Sequence, residues 1–231
     1  MDIHKPKPWH GVREFLKEYV IIVVGVLTAL GAEAIVENLH ERRLSAEAKE
    51  AVRDEINVDL TNVARRAQWE PCLARRLDEI SALLDRADAG EAFKPPAEVG
   101  GPLLPTIYTQ RWTAATAGGR TSLLSSDEQR AYGRVYNQLD HLDAKQGAEA
   151  EAWLRLGALN TLRHLTPEAI YDQRLAVAKA RQMNQLVQSN IRQIRVFAGR
   201  LGIKGDANLQ MAPSEAARVP TACMPFYGPG K

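Results

Sequence analysis

Between Tyr19 and Ala32 the chain runs Tyr-Val-Ile-Ile-Val-Val-Gly-Val-Leu-Thr-Ala-Leu-Gly-Ala without a single charge. A helix packed into a water-soluble core needs only one apolar stripe, whereas this run is apolar on every face. The run alone makes about 21 Å of helix, short for a bilayer, but Phe15 and Leu16 before it and Ala34, Ile35 and Val36 after it extend it to roughly 33 Å. The expectation is a transmembrane helix over residues 15–36, with the lipid bilayer as its first partner. Lys17 and Glu18 then fall at one interface and Glu33 near the other, and Trp9 and Tyr19 suit the headgroup region. A cleaved signal peptide competes, because Ala32-Glu33-Ala34 has the A-x-A form. Against cleavage stand a long leading segment carrying Asp2, Glu14 and Glu18, and Glu33 inside the cleavage motif itself.

Lys5, Lys7, Arg13 and Lys17 precede the span, which favours a cytoplasmic N-terminal segment, residues 1–14. Arg42, Arg43, Lys49 and Arg53 follow it, but they are mixed with Glu37, Glu41, Glu47 and Glu50 and belong to a long domain that translocates largely regardless of charge. The main domain is therefore expected in a periplasm-like space. The two cysteines, Cys72 and Cys223, form no CxxC, haem or zinc pattern. In a reducing compartment they are packing residues; on the oxidising side of a membrane they are a disulfide candidate.

Within the span, Gly25, Ala29 and Glu33 lie four apart, with Thr28 and Ala32 beside them. Small residues on one face let two helices approach closely, so these five are the candidate helix–helix contact; the competing reading is that Gly and Ala are simply common in membrane helices.

Behind the span the chain reads as all-α. The stretch Ala34–Gln68 is rich in good helix formers and free of proline, so the membrane helix is expected to continue as one long helix until Pro71 stops or kinks it. Leu39, Val52, Ile56, Leu60 and Val63 give it an apolar stripe, and Arg42, Arg43, Arg53, Arg65 and Arg66 are assigned to its solvated face. A second helix is expected from about Pro71 to Ala89, with Gly90 past its end. A Pro- and Gly-rich connector follows over Glu91–Pro105, then a short helix over Thr106–Ala117. Ser125-x-x-Glu128 is a capping box opening a helix to about Leu165, and Thr166-Pro167-Glu168 starts the last one.

That last helix places Ile170, Gln173, Val177, Ala180, Asn184, Val187, Ile191, Ile194, Ala198 and Leu201 at three-four spacing, a heptad seam. Bundle packing and coiled-coil packing share this pattern, so Val187, Ile191, Ile194, Ala198 and Leu201 face either neighbouring helices of the same chain or a second copy. The expected architecture is a soluble antiparallel helical bundle over residues 37–201, followed by an extended tail over 202–231.

Chemistry-bearing motifs are sparse. Asp140, His141 and Asp143 come nearest to a metal cluster, but His141 points away from the two carboxylates and no HExxH or Glu-x-x-His pair supports them. His10, His40, His141 and His164 are scattered singly, Ser125 and Ser126 sit at a cap rather than in a GxSxG elbow, and Gly118-Gly119-Arg120 lacks the lysine of a phosphate loop. Trp69, Trp112 and Trp153 read as core anchors, or as the lining of a pocket between helices. No catalytic, cofactor or metal residue is assigned. With a formal net charge of +2 and interleaved signs, nucleic acid is not an expected partner.

His10-Gly11-Val12-Arg13-Glu14-Phe15-Leu16-Lys17-Glu18, followed by Val23 to Glu33, resembles the opening of a group of uncharacterised Gram-negative bacterial inner-membrane proteins that begin with this amphipathic stretch and single span. Residues Trp112 to Leu142 also resemble a later block of that group. The resemblance implies a bacterial inner-membrane location and a single pass; the group has no established activity, so it carries over no functional residues. The expectation is a non-enzymatic, membrane-anchored helical scaffold or accessory subunit, as a homo-oligomer or with other membrane protein subunits. The alternative is a periplasmic ligand-binding or sensory helical bundle that signals through a partner.

Overall fold

In the computed structural model, residues 11–205 and 220–227 are described. Among them every regular element is helical: α1 (Val12–Gln68), α2 (Glu70–Asp88), α3 (Gln110–Ala117), α4 (Ser126–Leu156) and α5 (Pro167–Arg200), with three short 3-10 turns. The chain divides into two compact units, one up to Glu47 and one from Ala48 onward.

The first unit is the leading part of α1. Its most apolar window has a mean hydropathy of 2.3 and is 0% buried, which makes it one helix long and apolar enough to cross a membrane. Ile21, Ile22, Leu27, Leu30 and Ile35 are each more than half exposed. Thr28 donates its hydroxyl to the Val24 carbonyl at 2.7 Å, so the only polar group mid-run is satisfied within its own helix.

The second unit is built on α4 and α5, two long helices in extensive contact. α1 ends just before Pro71, whose ring fixes φ and removes an N–H; Trp69 forms the break and the proline then sits in the first turn of α2. α4 opens with the full capping box, Ser125 accepting from the Glu128 N–H and Glu128 accepting from the Ser125 N–H. α5 opens at Thr166, which accepts from the Ala169 N–H at 3.2 Å.

Two expected boundaries move. Residues 106–109 are not helical, because α1 side chains take up their backbone groups: Asn62 donates to the Thr106 carbonyl and Asp59 accepts from the Tyr108 N–H. α4 stops at Leu156 rather than near Leu165, giving way at Gly157 to a 3-10 turn. Asn160 of that turn accepts the Val99 N–H at 2.9 Å, tying it to the connector instead of prolonging the helix. Gly147 does not interrupt α4.

The core has two parts. One gathers Val52, Ile56, Leu60 and Val63 of α1 with Tyr132, Val135, Tyr136, Leu139 and Leu142 of α4 and Val187, Ile191, Ile194 and Ala198 of α5. The other gathers Leu73, Leu77, Ile80 and Leu84 of α2 with Ala152, Trp153 and Leu156 of α4, Ile170, Val177 and Ala180 of α5, and Ala222 and Phe226 near the C-terminus. The stripe on α1 explains the first and the α5 heptad pattern serves both, burying apolar side chains at about 1.5–3 kcal/mol each.

Candidate functional site: a buried polar layer between two apolar cores

Where the two cores meet, α1, α4 and α5 each place polar side chains inward. Arg66 and Glu149 are both 0% exposed, and Asn184 is buried beside them. Nη2 of Arg66 donates to both Glu149 carboxylate oxygens, at 2.7 and 3.0 Å, and to Oδ1 of Asn184 at 3.1 Å. Gln146, one turn before Glu149, is buried too and donates to the Pro105 carbonyl. Burial pushes the Glu149 carboxyl up, and Arg66, by charge and hydrogen bond, pulls it back only in part. Such a pair holds little net stability against apolar replacements, whereas removing one partner leaves the other charge buried and uncompensated.

Three and two turns earlier on α1, Glu55 and Asp59 form a buried acid pair. Glu55 accepts from the backbone N–H groups of Arg111 and Trp112 at 2.9 and 3.3 Å. These lie in the first turn of α3, so a carboxylate from another helix caps it and meets the positive end of its dipole. The Tyr136 hydroxyl donates to the same carboxylate at 2.8 Å, and the Trp112 ring stacks on Tyr136 with centroids 5.1 Å apart. Burial and Glu55 together hold the Tyr136 hydroxyl well above the usual tyrosine range. Asp59 accepts from the Tyr108 N–H at 3.0 Å, while its other oxygen, Oδ2, has no hydrogen-bond partner among the described residues. Burial pushes its carboxyl up to about 7, against the pull of that hydrogen bond.

A third cluster ties the end of the chain to α2. Cys72 is bonded to Cys223, with Cα atoms 5.3 Å apart. One turn on, Arg76 donates to the carbonyls of Glu98 and Val99 at 2.7 and 2.6 Å and to that of Met224. Its guanidinium lies 4.9 Å from the Phe226 ring centroid. Ala97 donates to the Phe226 carbonyl and Ala222 to that of Gly101, so the connector and the terminal segment run against each other. Gly100 has φ +74, and a Cβ there would lie 2.4 Å from the Ala222 nitrogen.

The residues singled out in the sequence are distributed as follows. Gly25, Thr28, Ala29, Ala32 and Glu33 are exposed among the described residues. Val187, Ile191, Ile194 and Ala198 are buried in the first core and Leu201 packs partly against it, so the seam faces the chain's own helices. Trp112 belongs to the first core, Trp153 to the second, and half-buried Trp69 to neither, so they line no common pocket. Asp140, His141 and Asp143 are exposed, and no metal-holding group of His, Cys, Asp and Glu occurs among the described residues. Leu39, counted with the apolar stripe, is 60% exposed. His10, residues 1–9 and much of the tail lie outside the described residues.

Arg66 is not on a solvated face but at the centre of the polar layer. The signal was present: Val52, Ile56, Asp59, Val63 and Arg66 share one three-four row, so Arg66 falls on the apolar side of its helix by spacing alone. Asp59 belongs to the same row, and Glu55 flanks it, three residues after Val52 and four before Asp59. Their partners, Glu149 and the first turn of α3, do not follow from spacing.

The chain matches no family model, and no curated protein or solved structure is significantly similar to it.

Proposed function

We propose that this chain is a non-enzymatic, membrane-anchored helical scaffold or accessory subunit that self-associates or joins a larger membrane protein complex. The observation that carries the reading is the exposure of the whole apolar window within 15–36. Nothing among the described residues covers it, and a surface of that size and character calls for lipid tails and neighbouring membrane helices. The row Gly25, Ala29 and Glu33, with Thr28 and Ala32, is the face through which such a neighbour packs. The same proposal places the chain in the inner membrane of a Gram-negative bacterium, with residues 1–14 in the cytoplasm and the main domain periplasmic. The Cys72–Cys223 bond supports the oxidising side. The domain is read as an antiparallel helical bundle with the C-terminal segment strapped along it.

A structural role also accounts for the polar groups. Both oxygens of Glu55 and one of Asp59 cap backbone N–H groups, and the Arg66–Glu149 pair bonds α1 to α4, so these side chains hold helices together rather than face a substrate. The test is extraction from native membranes in a mild detergent, followed by native mass spectrometry and size analysis. A defined oligomer, or a stoichiometric membrane complex lost on Gly25→Leu/Ala29→Leu substitution, is the expected result. Recovery as a lone monomer at native abundance would overturn the proposal.

A further inference from the structure

The two halves of α5 treat their cations differently. In the first half Arg174 bonds Asp85 and Asp88, Lys179 bonds Glu151, and Arg181 bonds Asp78. From Gln173 to Gly205 the chain itself contains no Asp or Glu, yet it continues with Arg192, Arg195, Arg200 and Lys204. None of these four makes an ion pair among the described residues. Arg200 and Lys204 lie at the helix end, where a cation suits the dipole. That dipole does not account for Arg130 and Arg134, which lie in the second and third turns of α4.

Between these helices lies an open groove of about 410 Å³, lined by Arg130, Gly133, Arg134, Asn137 and Gln138 of α4 and by Phe197 of α5. Arg130 keeps Asp127 as an ion-pair partner, whereas Arg134 has none among the described residues. Arg200 extends over the same Phe197 ring, 5.6 Å from its centroid. The amide of Gln138 is oriented from behind: Asn190 donates to its Oε1 at 2.8 Å, and Asn190 itself accepts from Lys145. With its oxygen engaged, Gln138 is left with its NH2 as a donor. At Gly133, which lines the groove, a Cβ would meet nothing within 4 Å, so a larger side chain has room to enter it.

We propose that this groove binds a phosphate-type oxyanion attached to an apolar or uncharged group. Two guanidiniums and the amides of Asn137 and Gln138 supply donors to several oxygens at once, which suits a tetrahedral anion better than a single carboxylate. The Phe197 ring and the open floor at Gly133 accept whatever the anion carries. Two sources share this chemistry, a free phosphate compound and an anionic phospholipid headgroup. The inference goes beyond scaffolding and stands whether or not the chain assembles with partners.

The test uses the full chain in mild nonionic detergent, titrated calorimetrically with inorganic phosphate and separately with dihexanoyl phosphatidylglycerol. Saturable binding of at least one probe is expected, weakening with added salt. Arg134→Gln, which removes one charge-assisted contact, weakens it about tenfold or more. Gly133→Leu fills the hollow and weakens it similarly, while replacing glycine with a better helix former. Arg195→Gln removes the same charge from a different side of α5 and leaves affinity within about twofold. Binding of inorganic phosphate as tight as that of the lipid assigns a free phosphate source; binding of the lipid alone assigns the headgroup. Saturation by neither probe overturns the proposal. So does unchanged binding in Gly133→Leu, or an equal loss in Arg195→Gln and Arg134→Gln.

Discussion

Asp59 is fully buried, and its ionisation can be read as a dependence of stability on pH. Its carboxyl rises from 3.8 to about 7 because it is buried with one oxygen unpartnered and Glu55 one turn away. The folded state thus holds a proton that the unfolded chain has already released, so the group's contribution is fully present below about pH 4. It is lost as pH climbs toward 7, and is constant above that. The interval between 3.8 and about 7, at about 1.36 kcal/mol per pH unit, sets a ceiling of roughly 4 kcal/mol. Water reaching the site lowers this toward about 1–2 kcal/mol. Asp59→Asn keeps an oxygen for the Tyr108 N–H and cannot ionise. At pH 8 the variant is expected to be more stable than the parent by about 1–4 kcal/mol, and at pH 4 the two are expected to be nearly equal. Urea denaturation of the detergent-solubilised chain, followed by far-ultraviolet dichroism, reads this as a midpoint rise of about 0.5–1.5 M at the higher pH. A pH-independent difference, or a variant less stable at pH 8, would refute the reasoning, because desolvation of the charge would then not govern the site.

Glu149→Leu strands the Arg66 cation in the core and is expected to destabilise by about 3–5 kcal/mol, whereas the double change Arg66→Met/Glu149→Leu recovers most of the loss; a double-mutant cycle in urea measures both. Opening the Cys72–Cys223 bond by Cys72→Ser/Cys223→Ser releases a loop spanning 151 residues. The expected cost is up to about 5 kcal/mol, seen as a lowered urea midpoint, and thiol labelling of the unreduced parent should find no free cysteine. Gly100→Ala forces a side chain against the Thr221–Ala222 backbone at positive φ; faster proteolysis near the C-terminus is expected, with unchanged helix content.

The helices were legible because each announces itself over a few residues. The uncharged run needs no partner to be recognised as lipid-compatible, Ser125 with Glu128 and Thr166 with Pro167 mark two starts, and Pro71 marks a stop. The α5 row from Ile170 to Ala198 foretold a buried face, but spacing alone could not say whether a second copy or the chain's own helices would bury it. The structure answers this by bringing α4 and α2 against it. What remained hidden depends on pairs far apart in the chain. Arg66 finds Glu149 eighty-three residues on, and Glu55 finds the first turn of α3 more than fifty residues on. Charge makes each residue read as solvent-exposed by itself, and only a partner in three dimensions makes its burial affordable. Local hydrogen bonding and periodicity therefore determined where this chain is helical and where it is oily, while the placing of charges inside it was decided by tertiary contacts alone.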